Sequence, residues 1–83
     1  QVVQYPYTIS GQKDYVLGLL RRSDNQRISF SKMVEEKPEK ILVIYNFLAI
    51  LELLQLNIIT LHIGEGFNNF WVEELDGEKV SED

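Results

Sequence analysis

A small α+β fold, three helices followed by a β-hairpin, is predicted by three observations. Residues 41–56 are apolar at 13 of 16 positions and unbroken by Gly or Pro, long enough for a buried helix. Residues 58–63 then alternate, with Ile59, Leu61 and Ile63 on one face and Ile58, Thr60 and His62 on the other. After a turn at Gly64-Glu65-Gly66, Phe70-Trp71-Val72-Glu73 reads as the returning strand.

Each earlier element follows from its punctuation. Val2 and Val3 suit an extended lead-in that stops at Tyr5-Pro6, because the residue before proline avoids the helical region. Thr8 or Ser10 can cap a first helix over 11–22, whose apolar stripe is Tyr15, Val16, Leu19 and Leu20, with Arg21 and Arg22 in the last turn. Ser23-Asp24-Asn25-Gln26 is a turn of residues that bond their own backbone. Arg27-Ile28-Ser29-Phe30 suits a brief strand, and Ser31 with Glu35 suits the cap of a second helix over 32–36. Pro38 fits the first turn of the long third helix, and Asn57 closes it. The order of helix, strand, two helices and hairpin is that of a winged helix. It divides the chain into a lead-in over 1–7, a winged-helix domain over 8–73 and an acidic tail over 74–83.

The chain of 83 residues carries 13 acids, 8 bases, one His and no Cys, for a net charge of −5. Residues 73–83 account for all of it; residues 1–72 hold seven acids and seven bases. A neutral body with an acidic end is poorly matched to a nucleic-acid backbone. Without Cys there is no disulfide framework, thiolate metal site or cysteine nucleophile. His62 alone makes a zinc site unusual, Gly64-Glu65-Gly66 lacks the continuation of a phosphate loop, and the serines sit at caps and turns. Glu35-Glu36 and Glu73-Glu74 read as solvated pairs. No catalytic residue, cofactor or metal is expected. A start at Gln1 without a leader reads as an excised or processed segment, and a Cys-free chain suits a reducing cytoplasm.

The third helix has two apolar stripes when its residues are placed about 100° apart. Val43, Ile44, Phe47, Ile50, Leu51 and Leu54 form the broader one; Leu42, Tyr45, Ala49, Leu53 and Leu56 lie roughly opposite. A domain this small covers one face and part of the next, so the narrower stripe is expected either to lie under the hairpin and first helix or to meet a partner. Trp71, turned outward beside Thr60 and His62 if Phe70 and Val72 face inward, is either a further anchor or local hairpin packing. Leu42, Tyr45, Ala49, Leu53, Leu56 and Trp71 are therefore the candidate partner-binding residues. The only cation in this helix is Lys40 at its start, which disfavours reading of a DNA groove by it.

Phe47-Leu48-Ala49-Ile50-Leu51-Glu52-Leu53-Leu54 resembles the FLALLEL-type stretch in the C-terminal winged helix of the bacterial kleisins, the segregation and condensation protein A (ScpA) family. Arg27-Ile28-Ser29-Phe30 is similar to that family's short strand before its second helix. Phe67-Asn68-Asn69-Phe70 stands where the family often has Phe-Gly-Asp-Ile, a departure confined to the wing turn. The resemblance covers about residues 8–72. It implies a non-enzymatic adaptor that binds the ATPase head of an SMC protein and helps close the ring used in chromosome condensation and segregation, cytoplasmic and nucleoid-associated. It implies ScpB as a partner of a kleisin segment outside this chain, with no direct contact to nucleic acid or membrane. The alternatives are a DNA-binding winged helix using Lys13, Arg21, Arg22, Arg27 and Lys32, and self-association through the apolar stripe.

Overall fold

Small polar side chains begin two of the helices and end the third. A computed structural model describes residues 4–65 and 69–75. Thr8, in extended conformation, accepts a hydrogen bond from the Gly11 N–H at 2.9 Å and starts helix α1, Ile9–Arg21. The helix begins two residues earlier than expected, because Thr8 rather than Ser10 takes the cap. A 3₁₀ turn at Asp24–Gln26, with Asn25 and Gln26 at φ 58° and 54°, leads into strand β1, Arg27–Ser29.

Ser29 then caps helix α2, Phe30–Glu36, by accepting from the Lys32 N–H at 3.1 Å. The expected cap at Ser31 is displaced by two residues, and Phe30 is helical instead of extended. Ser29 stands at the end of a paired strand and so already has the extended backbone that a cap needs. Helix α3 runs Lys40–Gln55, starting after Pro38 rather than at it. Its cap residue Glu39 makes no capping bond of its own; its Oε1 accepts the Tyr7 hydroxyl at 2.7 Å. Asn57 ends α3 as expected, in the left-handed conformation at φ 60°. The N–H of Asn57 bonds the Leu54 carbonyl and that of Ile58 bonds the Leu53 carbonyl, each at 3.0 Å, which satisfies the last carbonyls and reverses the chain.

Strands β2, Ile59–Ile63, and β3, Phe70–Glu74, form the antiparallel hairpin. Strand β1 joins the far side of β3, giving a three-stranded sheet in the order β1-β3-β2. Three helices and this sheet make the α+β winged-helix arrangement. Glu74 is paired with Ile59 at the end of the sheet. The lead-in at Val2-Val3, the turn residues Gly66, Phe67 and Asn68, and residues 76–83 lie outside the described residues.

The core is Val16, Leu19 and Leu20 of α1, Met33 of α2, Ala49, Ile50 and Leu53 of α3, and Ile28, Ile59 and Val72 of the sheet. Val72 is central because it lies opposite both Ile28 and Leu61. Asn46 is buried as well, and accepts from Gln12 Nε2 at 2.8 Å. Lys13 and Glu52, 3.1 Å apart, bridge the same two helices at the rim. Tyr5 and Tyr7 lie against Tyr45, with ring centroids 6.3 and 6.0 Å away, and tie the lead-in to α3.

This packing corrects the expected binding stripe. Leu42, Ala49 and Leu53 are buried, the last two at 0% and 1% exposure, so the folded domain cannot offer them to a partner. Ala49, the smallest side chain on α3, is fully buried in the core, and Asn46 beside it accepts its hydrogen bond from Gln12 of α1. Tyr45 is half-buried, and Leu56, beyond the end of the helix, remains exposed.

Leu53→Ala is expected to cost about 2–5 kcal/mol in urea unfolding, as for other buried Leu truncations, and Leu53→Glu to lose the folded circular dichroism signal. Gln12→Ala, which strands the buried Asn46 oxygen, is expected to cost about 1–3 kcal/mol in the same assay. The Glu39 carboxylate holds the Tyr7 phenol above its ordinary pKa of 10.0, first through their hydrogen bond. The Tyr15 phenol is raised too, mainly by burial and secondly by Glu36. A raised phenol contributes stability that is complete below pH 10 and is lost as pH climbs through the folded-state value. Urea midpoints on either side of pH 10 should show that loss, and Tyr7→Phe should remove part of it.

Candidate partner-binding face

Helix α3 is apolar around most of its circumference, so once α1 takes the Ala49–Leu53 side the other side is left in solvent. Ile44, Phe47, Leu48 and Leu51 lie there at spacings of three and four residues, each 39–45% exposed. Strand β2 extends the surface. Ile59, Leu61 and Ile63 share one face by strand alternation, as expected, but only Ile59 lies beneath α3; Leu61 is partly exposed and Ile63 is 76% exposed.

Between helix and hairpin is a hollow of about 270 Å³. Phe47, Ile50, Leu51 and Leu54 line it from α3, Leu61 and Ile63 from β2, and Phe70 from β3, with Asn69 as its polar member. Phe30 stacks on Phe70 at 5.2 Å and meets Phe47 edge-on at 5.9 Å. These three rings form a ridge, and beyond it a second hollow is lined by Phe30, Ser31, Val34, Phe47 and Phe70. The result is a largely apolar face built from four elements, α2, α3, β2 and β3.

The charges lie elsewhere. Arg21 grips Glu74 with Nε 3.1 Å from both carboxylate oxygens and Nη2 2.7 Å from Oε2, and this bond raises the guanidinium pKa further. On the other face of the sheet, Glu73 Oε1 sits 2.9 Å from His62 Nε2 and 3.5 Å from Arg27. His62 stacks on Trp71, its register partner, at 5.8 Å, and the Arg27 guanidinium carbon lies 5.6 Å from the Trp71 ring centroid. The Trp71 Nε1 is buried without a hydrogen-bond partner among the described residues. Trp71 is therefore half-buried in a local stack, apart from the α3 face.

Three of the five cations that a DNA-binding reading would use, Lys13, Arg21 and Arg27, are engaged by Glu52, Glu74 and Glu73. Among the described residues no group of three or more His, Cys, Asp or Glu side chains is placed to hold a metal. No helix among them is long and apolar enough to cross a membrane.

Of the broader stripe expected from the sequence, Ile44, Phe47 and Leu51 are exposed while Ile50 is buried, and Leu48, in neither expected stripe, joins the exposed set. The signal that could have chosen between the two stripes is Ala49 beside Asn46. A small residue next to a polar one marks the side on which another helix comes close and supplies a hydrogen bond. The Phe30-Phe47-Phe70 ridge joins residues far apart in the chain and carries no local signal.

No protein-family model matches the chain, and no solved structure matches it significantly. Two curated proteins do. Segregation and condensation protein A of Listeria monocytogenes serotype 4a (strain HCC23) is 34% identical over 74 residues, and that of Listeria welshimeri serovar 6b is 32% identical over 74 residues. In both cases the match covers 89% of this chain and 29% of the relative, so the chain spans less than a third of their length. The chain is thus similar to segregation and condensation protein A over 89% of its own length.

Proposed function

We propose that this domain is a non-enzymatic, protein-binding module of a chromosome-segregation kleisin, and that it docks the ATPase head of an SMC protein through the apolar face of α3 and the hairpin. The observation that carries the reading is the chemistry of that face. A winged helix that reads DNA presents Arg, Lys, Asn or Gln from its third helix. Here the same helix presents Ile44, Phe47, Leu48 and Leu51, beside Leu61 and Ile63. Such a surface gains nothing from phosphates and much from apolar side chains. Burying three or four of these residues supplies on the order of 5–10 kcal/mol before the costs of association.

The names of the Listeria relatives support a role in segregation and condensation. On this reading the domain acts in the cytoplasm at the nucleoid, affects ATP turnover only through the SMC head, and leaves ScpB to another part of the kleisin. Of the residues first expected at the interface, Tyr45 and Leu56 keep some exposed surface beside the face, Trp71 lies apart from it on the other side of the sheet, and Leu42, Ala49 and Leu53 support it from beneath.

Leu51→Glu and Ile63→Glu are each expected to keep the wild-type circular dichroism spectrum while weakening binding to an isolated SMC head at least tenfold, about 1.4 kcal/mol or more, by calorimetry. Folded variants that bind as tightly as wild type would move the interface off this face. A salt-dependent shift of duplex DNA at physiological ionic strength, abolished by Arg22→Ala with Lys32→Ala, would instead favour the DNA-binding reading.

A further inference from the structure

The apolar face has the properties of a surface that can meet itself. A two-fold axis brings one patch onto its own copy, so any charge near the axis faces its like. The face offers Ile44, Phe47, Leu48, Leu51, Leu61 and Ile63, none of them ionisable. The ion pairs Arg21–Glu74 and Arg27–Glu73 lie away from it, on the α1 side and the opposite sheet face, and charge borders it only at its edges, at Lys40 one turn before Ile44 and at Glu52, paired with Lys13, one turn after Leu48. Its relief is also complementary: the α3 stripe stands beside the hollow between α3 and the hairpin, so the ridge of one copy can enter the hollow of the other.

Area sets the strength. The six exposed side chains present on the order of 500 Å² of apolar surface, as large as the largest patch on most soluble monomers. Two such faces bury on the order of 1,000 Å² together, the lower limit of a specific interface. That is enough for a reversible dimer and too little for a permanent one.

We propose that, away from its partner, this face is covered by a second copy of the chain, in a two-fold dimer of α3 against α3 that the partner must displace. The displacement, though not the dimer, rests on the function proposed above. The uncapped face is thereby shielded from other contacts, and partner binding draws on the monomer.

Light scattering and sedimentation of this chain over three decades of concentration test the dimer. The apparent mass is expected to rise from 9.7 kDa toward twice that value. Leu48→Glu, an exposed position at the centre of the stripe, is expected to stay monomeric throughout with an unchanged circular dichroism spectrum. Ser10→Glu, which adds the same charge to the exposed first turn of α1, is expected to dimerise as wild type does. A wild-type chain that remains monomeric, a folded Leu48→Glu variant that dimerises normally, or a Ser10→Glu variant that does not, overturns the proposal. Titration with an isolated SMC head is expected to replace the dimer by a complex of one chain with one head. A head bound by the intact dimer overturns the exclusion. A dimer that no SMC head binds overturns the proposed function and the displacement with it, whereas a head that binds a chain monomeric at every concentration overturns the dimer and leaves that function standing.

Discussion

The contact of α1 with α3 around Ala49 is the constraint on which the rest of the structure depends. Ala49 in the middle of a helix of Leu and Ile shares the core cluster with Val16, Leu19 and Leu20 of α1, and all four are buried. The neighbouring Asn46 raises the specificity of the contact. A buried amide without a partner is costly, and Gln12 supplies that partner only in one register of the two helices. This fixes the rotation of α3 about its axis, and with it the side of the helix that reaches solvent. The left-handed Asn57 then turns the chain so that β2 leaves along the remaining apolar side, which makes the hairpin one wall of the hollow.

Charge in the domain is distributed as a consequence. The carboxylates of Glu52, Glu73 and Glu74 meet cations from α1 and β1, each at a rim where solvent screening keeps such pairs worth little in stability. Their effect is on position. They occupy Lys13, Arg21 and Arg27, and the exposed stripe Ile44, Phe47, Leu48 and Leu51 is bounded by charge only at Lys40 and Glu52. A winged helix normally holds its phosphate-seeking groups on its third helix; this one has an apolar face there and paired cations elsewhere, which is the chemistry of a protein contact. Two Listeria segregation and condensation proteins match the chain over 29% of their own length.

Much of the fold is legible in the sequence because local chemistry dictates it. Thr8 and Asn57 end or begin helices through bonds that span three to five residues, and the alternation of Ile59, Leu61 and Ile63 reports a strand whatever it packs against. The kleisin-like stretch at residues 47–54 is likewise a local pattern. The choice of Ser29 over Ser31 as a cap is different. Both residues fit the pattern, and pairing of Ser29 with Trp71, far along the chain, holds one of them in the extended conformation.

By itself, then, the sequence determined the order of elements, the long apolar helix without cations and the hairpin that follows it, since these rest on side-chain periodicity and on caps within a few residues. Tertiary structure alone decided which stripe of that helix is core and which is surface. A helix that is apolar on both sides has no preferred side until another helix chooses one. Here the choice came from Ala49 and the Asn46–Gln12 bond, and it turned Leu42, Ala49 and Leu53 from expected contacts into the support beneath the face that Ile44, Phe47, Leu48 and Leu51 present.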